Sequence, residues 1–542
     1  MFRWITAFGW IFTCVLILAA GSTTQAASYD VVIYAGTPGG IAAAIQTARM
    51  GRSVVLIEPG KHLGGLSSGG LGHTDKGKAE TIGGISREFY QRVGKHYGRK
   101  IAWQFEPHVA EQTFNDMIAE AGPGKITIVL GQRLDRSGKG LRMANGRITA
   151  MVTESGDVYE GRVFIDASYE GDLMAEAGVT YHVGRESRDE YGEPLAGVLE
   201  PGKGKYRQPK VFFGEGVDPY VKPGDPSSGL LAGIQDVPLG EIGSGDKKIQ
   251  AYNFRICLTT DPANRIDLTE PKNYDPARYE LLARFIAAQP AVRLTKNGKG
   301  WRLLTITPMP NHKTDINDGC PFSTDYIGAN WDYPEGDYAT RQRIFDDHVD
   351  FTKGLLWFLA SDPRVPEHVR TEMKRYGYPR DEYVDSDHFS TQMYIREARR
   401  MIGPYVMIQS DCDGSVKQRS KPDPVGIGSY GVDSHHIQRV VYNGQVVNEG
   451  NFLAHHSPYQ IPYRSIIPKK DQCTNLLVPV CVSSSHIAFG SIRMEPVYMI
   501  LGQSAGTAAV MAIEAGDAAL QDVPYPALRK RLEANGQVLE FQ

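Results

Sequence analysis

The segment from Tyr29 to Glu58 places the strongest constraint on the fold. It contains a β-branched run, DVVIY, then IAAAIQTARM, which has a helical composition and stops at Gly51, and then a second apolar run, SVVLIE. A buried strand, a helix and another buried strand over about 30 residues form a βαβ unit. Such units build parallel sheets with helices on their faces, so the segment predicts an α/β protein.

The turn between the first strand and the helix is similar to a nucleotide-binding turn. Dinucleotide cradles carry G-x-G-x-x-G there, and this chain has Ala35, Gly36, Thr37, Pro38, Gly39 and Gly40. Two of the three glycines are replaced, so a purely structural turn explains the motif about as well. Proline suits the first turn of a helix because its missing N–H has no partner there, and the threonine offers a hydroxyl and an N–H to a phosphate oxygen.

Glu58 and the loop after it favour the nucleotide interpretation. Glu58 ends the second strand 22 residues after Gly36, where a carboxylate binds the ribose of an adenosine. The loop PGKHLGGLSSGGLGHTD has five glycines between Gly64 and Gly72. Close backbone approach along a long ligand explains such a loop and favours FAD over NAD. Besides the turn residues Gly36, Thr37, Pro38, Gly39 and Gly40, the residues expected to bind this ligand are Glu58, Pro59, Gly64, Gly65, Ser68, Gly69 and Gly70.

The remaining segments differ in character along the chain. KITIVLG, GRITAMVTES and VYEGRVFIDAS, in residues 125–166, predict a small antiparallel meander that returns to a buried strand. Residues 185–250 predict long loops, and residues 275–403 predict mostly helices, including TQMYIREARRMIG. Residues 405–470 predict strands and loops. NLLVPVCV then predicts a buried strand, and the next long helix has Pro496 at its start and Gly516 at its end.

The N-terminus and the composition limit the location and the partners. Residues 1–27 have the pattern of a secretory signal peptide, with cleavage expected after Ala26; a single membrane anchor is the alternative. No later apolar run is long enough to span a membrane, so a secreted or periplasmic protein is expected. The formal net charge of −3, with both signs interspersed, argues against a nucleic-acid surface. Five scattered cysteines remain after the signal, which fits neither a disulfide framework nor a metal site; one or two bridges and buried free thiols both stay possible.

Five separated segments carry a resemblance to a known family: YAGTPGGIAAAI, IEPGKHLGGLSSGGLG, FIDASYEGDLMAEAGV, YIREARRMIG and SSSHIAFGSIRMEPVYMILGQSAGTAA. In this order they resemble the bacterial FAD-dependent oxidoreductases of the glutathione-reductase-like flavoprotein class, whose members often carry the label "xanthan lyase". The resemblance implies FAD as the cofactor and a Rossmann FAD-binding domain made of residues 28–184 and 471–542. Residues 185–470 are then an inserted, mixed and largely helical substrate or cap domain.

The resemblance also implies roles for individual residues. Those expected beside the adenosine are Asp166, Ala167, Ser168 and Gly171, and those expected near the ribityl chain and the flavin are Ser484, Ser485, Arg493 and Met494. A helix N-terminus with an arginine beside it would stabilise the negative charge of a reduced flavin. The chain departs from the family at Ala35, where glycine is more usual, and around Val480, where a glycine-arginine pair is more usual.

A dehydrogenating flavoenzyme also needs a base that takes a proton from its substrate. The histidines expected in this role are His486, His436 and His312, and Arg396 is expected to contact the substrate or the flavin edge. Each histidine could equally be structural, and the arginines of REARR could form an ion-paired helix face. No metal site and no built-in NAD(P)H site are expected.

The expected function is that of an exported FAD-dependent oxidoreductase that moves a hydride from a small organic or carbohydrate substrate to the flavin. Oxygen, a quinone or a partner protein would reoxidise the flavin. Two alternatives stay open: a polysaccharide lyase, and a flavin-binding protein without redox turnover.

Overall fold

The structure is a computed structural model that describes residues 27–204, 208–289, 291–295, 299–454 and 457–541. The predicted signal peptide, apart from Ala27, lies outside the described residues. We call residues 27–184 and 471–541 the sheet region, and residues 185–470 the middle region.

The sheet region is built on one seven-stranded sheet. Its strands are β1 (Ala27–Tyr34), β2 (Val54–Glu58), β3 (Ile126–Leu130), β4 (Leu141–Ala144), β5 (Arg147–Val152), β6 (Val158–Asp166) and the short strand Leu476–Leu477. The order is β3-β2-β1-β6-β5-β4, and Leu476–Leu477 lies parallel to β6. In the parallel part Tyr34 is in register with both Ile57 and Asp166, so β1, β2 and β6 end at the same edge of the sheet. That edge is where α/β proteins bind ligands.

One of the segments assigned to the antiparallel meander belongs elsewhere. The prediction is wrong for KITIVLG, because β3 extends the parallel sheet beside β2 instead of pairing with β4 or β5. Only β4, β5 and β6 pair antiparallel. The turn signals mark where strands end, but they do not show which neighbour a strand pairs with.

The helices of the sheet region cover the sheet. They are α1 (Pro38–Arg49), α2 (Gly65–Ser68), α3 (Gly84–His96), α4 (Pro107–Ala121) and α5 (Asp172–Glu176), followed near the C-terminus by His486–Ile492, Glu495–Glu514 and Tyr525–Ala534. Short 3₁₀ turns lie at Ala79–Thr81 and Leu520–Asp522.

The helix Glu495–Glu514, which we call the long helix, packs directly on α1. A Cβ on Gly502 would lie 2.0 Å from the carbonyl oxygen of Gly39, and one on Gly506 would lie 2.6 Å from that of Ala43. Only glycine allows the two backbones to approach so closely. The long helix is also the one helix of the described residues that is long and apolar enough to cross a membrane, yet it is almost wholly buried, as a core helix is.

The middle region is mixed rather than mainly helical. Its helices are Arg188–Tyr191, Glu280–Ala288, Tyr338–Ser361, Glu367–Met373, Gln409–Asp413 and Val416–Arg419, with 3₁₀ turns at Pro276–Tyr279, Pro310–His312 and Tyr463–Ser465. Its strands pair mostly two by two: Tyr220–Lys222 with Asp225–Leu230, Arg265–Asp267 with Gly377–Pro379, Val292–Arg293 with Trp301–Arg302, Leu304–Pro308 with Thr314–Asp318, Pro424–Gly428 with Tyr459–Pro462, Asp433–Ser434 with Phe452–Leu453, and Gln438–Tyr442 with Gln445–Glu449.

The helix predicted for TQMYIREARRMIG is absent. Residues 391–398 are irregular, and the strand Arg399–Met401 pairs antiparallel with Tyr181–Val183. The arginines therefore do not lie at helical spacing. Acidic residues from distant parts of the sequence balance their charges. Arg399 binds Asp172 at 2.7 Å, and Arg400 binds Glu186 at 2.7 Å. All five cysteines of the described residues are buried and free, which settles the question of disulfides in favour of thiols.

Candidate active site

The turn after β1 has the tight geometry that its sequence suggests. Ala35 adopts the left-handed conformation with φ of +76°, which disfavours every residue except glycine. A Cβ on Gly40 would lie 2.1 Å from the carbonyl oxygen of Ala35. The chain therefore keeps the glycine that the close contact requires and tolerates strain where the usual first glycine is missing.

Thr37 caps α1, and its hydroxyl is used inside the protein. The hydroxyl accepts the N–H of Gly40 at 3.3 Å and donates to the carbonyl oxygen of Ala167 at 2.7 Å. Pro38 is the first residue of α1. The first-turn N–H of Gly39 has no partner within the helix, so the helix end can still receive an anion.

Glu58 stabilises the same turn. Its carboxylate accepts the N–H of Gly36 at 2.7 Å and that of Gly60, beyond Pro59, at 2.6 Å. Burial raises the pKa of Glu58 to about 7, although both N–H groups favour the ionised form. Glu58, the residue predicted to bind the ribose, thus also fixes the two backbone segments, at Gly36 and Gly60, between which it lies.

The DAS turn after β6 is held in a similar way. Asp166 accepts the N–H of Ser168 at 3.0 Å and the N–H of Met174 at 2.8 Å, and the hydroxyl of Ser168 accepts the N–H of Gly171 at 2.9 Å. Burial raises the pKa of Asp166 to about 6. These bonds set the position of Ala167, whose carbonyl oxygen holds Thr37.

The glycine-rich loop is pressed against other parts of the chain. A Cβ on Gly65 would lie 2.4 Å from the Tyr169 hydroxyl, and one on Gly70 would lie 2.1 Å from the carbonyl oxygen of Arg255. Side chains at Gly64 and Gly69 would collide with Phe114 and Gln392. Ser68 donates to the carbonyl oxygen of Leu63 at 2.6 Å. Contacts between segments of this chain are thus one reason for the glycines.

Three of the predicted segments meet at Tyr169. Its hydroxyl accepts the N–H of Leu66 from the glycine-rich loop at 3.0 Å and donates to Glu495, the first residue of the long helix, at 2.8 Å. Burial raises the pKa of Glu495 to about 8. The two ends of the described chain therefore come together at the edge of the sheet where β1, β2 and β6 end.

Beside this junction lies a cavity of about 370 Å³ that all parts of the chain help to line. The glycine-rich loop contributes His73, and the two residues just before the long helix, Arg493 and Met494, also line it. The middle region contributes most of the wall, including Lys210, Arg255, Asp318, Asp433, His435 and Asn451. We take this cavity as the candidate active site because it joins the end of the glycine-rich loop and the residues before the long helix to polar side chains of the middle region.

A chain of polar contacts ends at His435 in the cavity wall. Nδ1 of His435 lies 2.5 Å from Oδ2 of Asp325, and Oδ1 of Asp325 accepts a hydrogen bond from Arg396 at 3.0 Å. Asp325 therefore fixes the proton on Nδ1 and leaves the lone pair on Nε2, which is the arrangement of an oriented general base. Burial and the positive charge of Arg396 hold the pKa of His435 well below its ordinary value, so the ring is neutral.

Arg493 is another residue of the cavity wall. It donates to the Tyr394 hydroxyl at 2.7 Å and to Oδ2 of Asp433 at 3.2 Å. Its Nε has no hydrogen-bond partner among the described residues, although it is buried. Burial raises the pKa of Asp433 to about 6 even with Arg493 close by.

The three predicted histidines lie away from the surface of this cavity. His486 is 1 % exposed and binds Glu397 through Nδ1 at 2.8 Å. His436 is also buried, with Nε2 3.1 Å from the carbonyl oxygen of Pro209, and burial lowers its pKa to about 3. His312 is an exposed residue of a 3₁₀ turn. The predicted Arg396 does belong to the contacts behind the cavity, stacked 4.6 Å from the ring of Tyr394.

The serines Ser484 and Ser485 are buried beside the helix His486–Ile492. Ser485 caps that helix by accepting the N–H of Ala488 at 3.2 Å, and it donates to Glu193 at 2.6 Å. Sequence reasoning preferred His436 as the site residue to its neighbour His435. No local signal separates the two, because Asp325, which singles out His435, is 110 residues away.

A second polar cluster, around the buried Lys313, has the residue types of a metal site but contains its own cation. Nζ of Lys313 lies 2.7 Å from Glu106, 2.8 Å from Asp381 and 2.6 Å from Glu382. His108 binds the same Glu382 at 2.7 Å. The ammonium group thus occupies the place between the acids where a metal ion would bind.

Comparison with known proteins gives one family. A family profile described as FAD dependent oxidoreductase matches residues 30–532, which is nearly the whole chain. A search of curated proteins finds no match.

Several solved structures match this chain at low identity and with low TM-scores. A geranylgeranyl bacteriochlorophyll reductase-like protein from Thermoplasma acidophilum is 10 % identical, with 95 % of this chain and 85 % of that chain covered and a TM-score of 0.34. L-proline dehydrogenase from P. horikoshii is 13 % identical over 30 % of this chain and 59 % of its own, with a TM-score of 0.23. Thioredoxin reductase from T. acidophilum is 19 % identical over 30 % and 40 %, with a TM-score of 0.18.

These structural scores are too low to say anything about a substrate, and the family match alone decides the assignment. The chain therefore belongs to the family of FAD-dependent oxidoreductases, and it is an oxidoreductase whose cofactor is FAD.

Proposed function

We propose that this protein is an exported oxidoreductase that uses FAD to oxidise a small organic or carbohydrate substrate in the cavity beside the start of the long helix. The observation that carries the proposal is the composition of that cavity. It combines Arg493 and Met494, which the resemblance assigns to the flavin, with an oriented, neutral His435 from the middle region.

The residues at the sheet edge fit FAD. The first turn of α1 presents the N–H of Gly39 to a pyrophosphate, and Glu58 lies at the strand end that suits an adenosine ribose. The buried Nε of Arg493 lacks a partner, and a flavin offers acceptor atoms of the required kind. When bound, FAD supplies the capacity to accept two electrons from the substrate.

His435 is the base in this proposal. The substrate is an alcohol or similar compound that loses two hydrogens, one of them as a proton from its hydroxyl group. Nε2 of His435 takes that proton, because the hydrogen bond from Nδ1 to Asp325 keeps the ring in the correct tautomer. Asp325 and Arg396 act as positioning residues, since they contact His435 or its partner and lie behind the cavity wall.

The sheet region is a glutathione-reductase-like FAD-binding domain, and the middle region is an inserted substrate or cap domain. Residues 1–27 direct export to the periplasm or the medium. Oxygen, a quinone or a partner protein accepts the electrons afterwards.

Purification of the mature chain and anaerobic addition of candidate substrates test the proposal. We expect a yellow protein whose visible flavin absorbance bleaches with a substrate and returns with air or a quinone. A protein that neither contains nor takes up FAD would contradict the proposal, as would bound FAD that no substrate reduces. Cleavage of a polysaccharide by FAD-free protein would support a lyase instead. Cell fractionation with and without residues 1–27 tests export.

A further inference from the structure

We propose that the substrate of this cavity is an uncharged polyhydroxy compound of about monosaccharide size, a sugar or a sugar alcohol, rather than an acid, an amine or a polymer. This inference rests on the proposed function, because it concerns the substrate of the same site. Three observations support it: how the charges of the wall are paired, which polar atom is left without a partner, and how large the cavity is.

The charged side chains of the cavity wall are already matched with one another. Nζ of Lys210 donates to Asp318, and Arg493 lies 3.2 Å from Asp433. Arg255 binds the buried Asp315 at 2.6 Å and lies 3.7 Å from Asp75, another residue of the wall. A carboxylate or ammonium substrate would find no unpaired opposite charge here. It would instead be desolvated beside a like charge, which is costly.

Besides Nε of Arg493, which the proposed function directs to the flavin, the wall has one buried polar atom without a partner among the described residues, and this atom is an acceptor. Asn451 is 5 % exposed, and its Oδ1 has no hydrogen-bond partner within the described ranges. An ionised carboxylate or a fully ionised phosphate has no hydrogen to donate to it. A hydroxyl group donates to such an oxygen and also accepts from neighbouring donors, so it suits this wall of mixed donors and acceptors. A hydroxyl is also the group from which His435 can remove a proton.

The cavity volume excludes a long polymer as the bound unit. At about 370 Å³ the cavity is near the lower end of the range for small-molecule sites, which is roughly 300–1,000 Å³. One sugar unit or a sugar alcohol is the class of polyhydroxy compound that suits such a volume.

The test uses the FAD-loaded protein and monosaccharides of similar size that differ in charge. Glucose and galactose are each offered as the neutral sugar, the uronic acid and the 2-amino sugar, together with the corresponding sugar alcohols. Anaerobic flavin bleaching measures reaction, and the shift in Tm measures binding without turnover. We expect kcat/KM for a neutral compound to exceed that of its charged counterparts by about tenfold or more, because an unpaired buried charge costs more than 1.4 kcal/mol.

Two variants of Asn451 make the test specific to this wall. Asn451→Ala should raise KM for the neutral sugar by about threefold to tenfold with a smaller change in kcat, since it removes one hydrogen bond to a neutral group. Asn451→Asp should shift the preference toward the 2-amino sugar by adding an unpaired carboxylate. Asn273→Ala, at an exposed surface position, serves as the matched control and should change neither value.

The outcomes separate this inference from the proposed function. A preference for the acid or the amine, or reduction only by compounds without hydroxyl groups, such as simple amino acids, would overturn the inference and leave the redox function intact. Absence of flavin reduction by every compound of the series and by amino acids and 2-hydroxy acids would overturn both. Unchanged kinetics in both Asn451 variants would overturn the assignment of the sugar to this wall.

Discussion

The carboxylates at the strand ends of the sheet region and the charged side chains of the middle region are buried in different ways. In the sheet region Glu58 and Asp166 accept hydrogen bonds from backbone N–H groups of nearby turns. In the middle region the buried charges meet opposite charges from distant parts of the chain, as Lys313 meets Glu106 and Glu382. The first arrangement fixes a loop, whereas the second fixes the relative positions of whole segments.

The difference also affects proton binding. A buried carboxyl that accepts hydrogen bonds only from uncharged N–H or O–H groups binds a proton more easily than one that lies beside a cation. Burial raises the pKa of Glu58 to about 7 and that of Glu495 to about 8. Burial acts on Glu397 in the same direction, but the nearby His486 and Arg400 outweigh it and lower its pKa to about 2. The comparison therefore predicts that substitutions in the two regions have different consequences.

The largest effect is expected at His435, where the chain of polar contacts from Arg396 and Asp325 reaches the cavity. His435→Gln should lower kcat by about 10²–10⁴-fold with the flavin spectrum unchanged, because it removes the base. In the wild type kcat/KM should stay level as the pH falls through about 6.5, since only the neutral ring is active and its pKa is held below the ordinary value.

His436→Gln is the matched control for this prediction, one residue away and also buried. A greater loss of kcat in His436→Gln than in His435→Gln would assign the base to His436, as the sequence suggested, and would contradict the role of the pair with Asp325.

Removal of a buried cation tests whether pairing holds the middle region together. Lys313→Met should lower the free energy of unfolding by about 3–5 kcal/mol, because it leaves buried acids without a countercharge. Urea unfolding measures the change. Lys470→Met removes a cation from an exposed pair, with the two side chains 56 % and 54 % exposed, and should cost no more than about 1 kcal/mol. Equal losses in the two variants would show that burial of the pair is unimportant.

The next largest effect is expected in the pH dependence of the free energy of unfolding, to which the two regions should contribute differently. Glu495 binds its proton more tightly in the folded state than the usual value of about 4.3 in the unfolded chain. Its contribution is therefore present below that value and is lost as the pH rises toward 8, by up to about 1.4 kcal/mol per pH unit. Glu495→Gln should flatten the fall in FAD-free unfolding free energy between pH 5.5 and 8.5.

Glu397→Gln provides the contrast from the middle region. The pKa of Glu397 is lowered, so its contribution is present above about 4.3 and is lost only as the pH falls toward 2. The slope between pH 5.5 and 8.5 should therefore be the same as in the wild type. A steeper dependence on Glu397 than on Glu495 in that window would reverse the comparison.

The smallest effect is expected from backbone strain in the sheet region. Ala35→Gly should raise the free energy of unfolding by about 0.5–1 kcal/mol, because glycine adopts a φ of +76° without strain, which more than offsets its greater freedom in the unfolded chain. Ala527→Gly, at an exposed site of a regular helix, should lower it by about 1 kcal/mol. Destabilisation by both changes would show that the turn stores no strain at Ala35.

Local patterns predicted much of the sheet region. Strands β1 and β2, the helix α1 with Pro38 in its first turn, and the long helix are close to their predicted bounds because each has its own apolar period and end signals. The same reasoning failed for TQMYIREARRMIG. Its charges and apolar residues have helical spacing, but Arg399 and Arg400 are held by Asp172 and Glu186, which lie far away in sequence.

The sequence by itself therefore determined the βαβ unit, the tight turn at Gly40 and the position of Glu58, since these depend on residues within a few turns of one another. Only the tertiary structure decided that His435 rather than its neighbour faces the cavity, because the choice depends on contacts with Asp325 and Arg396. Backbone hydrogen bonds and steric limits act locally and leave a pattern in the chain. Pairing of buried charges acts through space, and which partners meet depends on how the whole chain is folded.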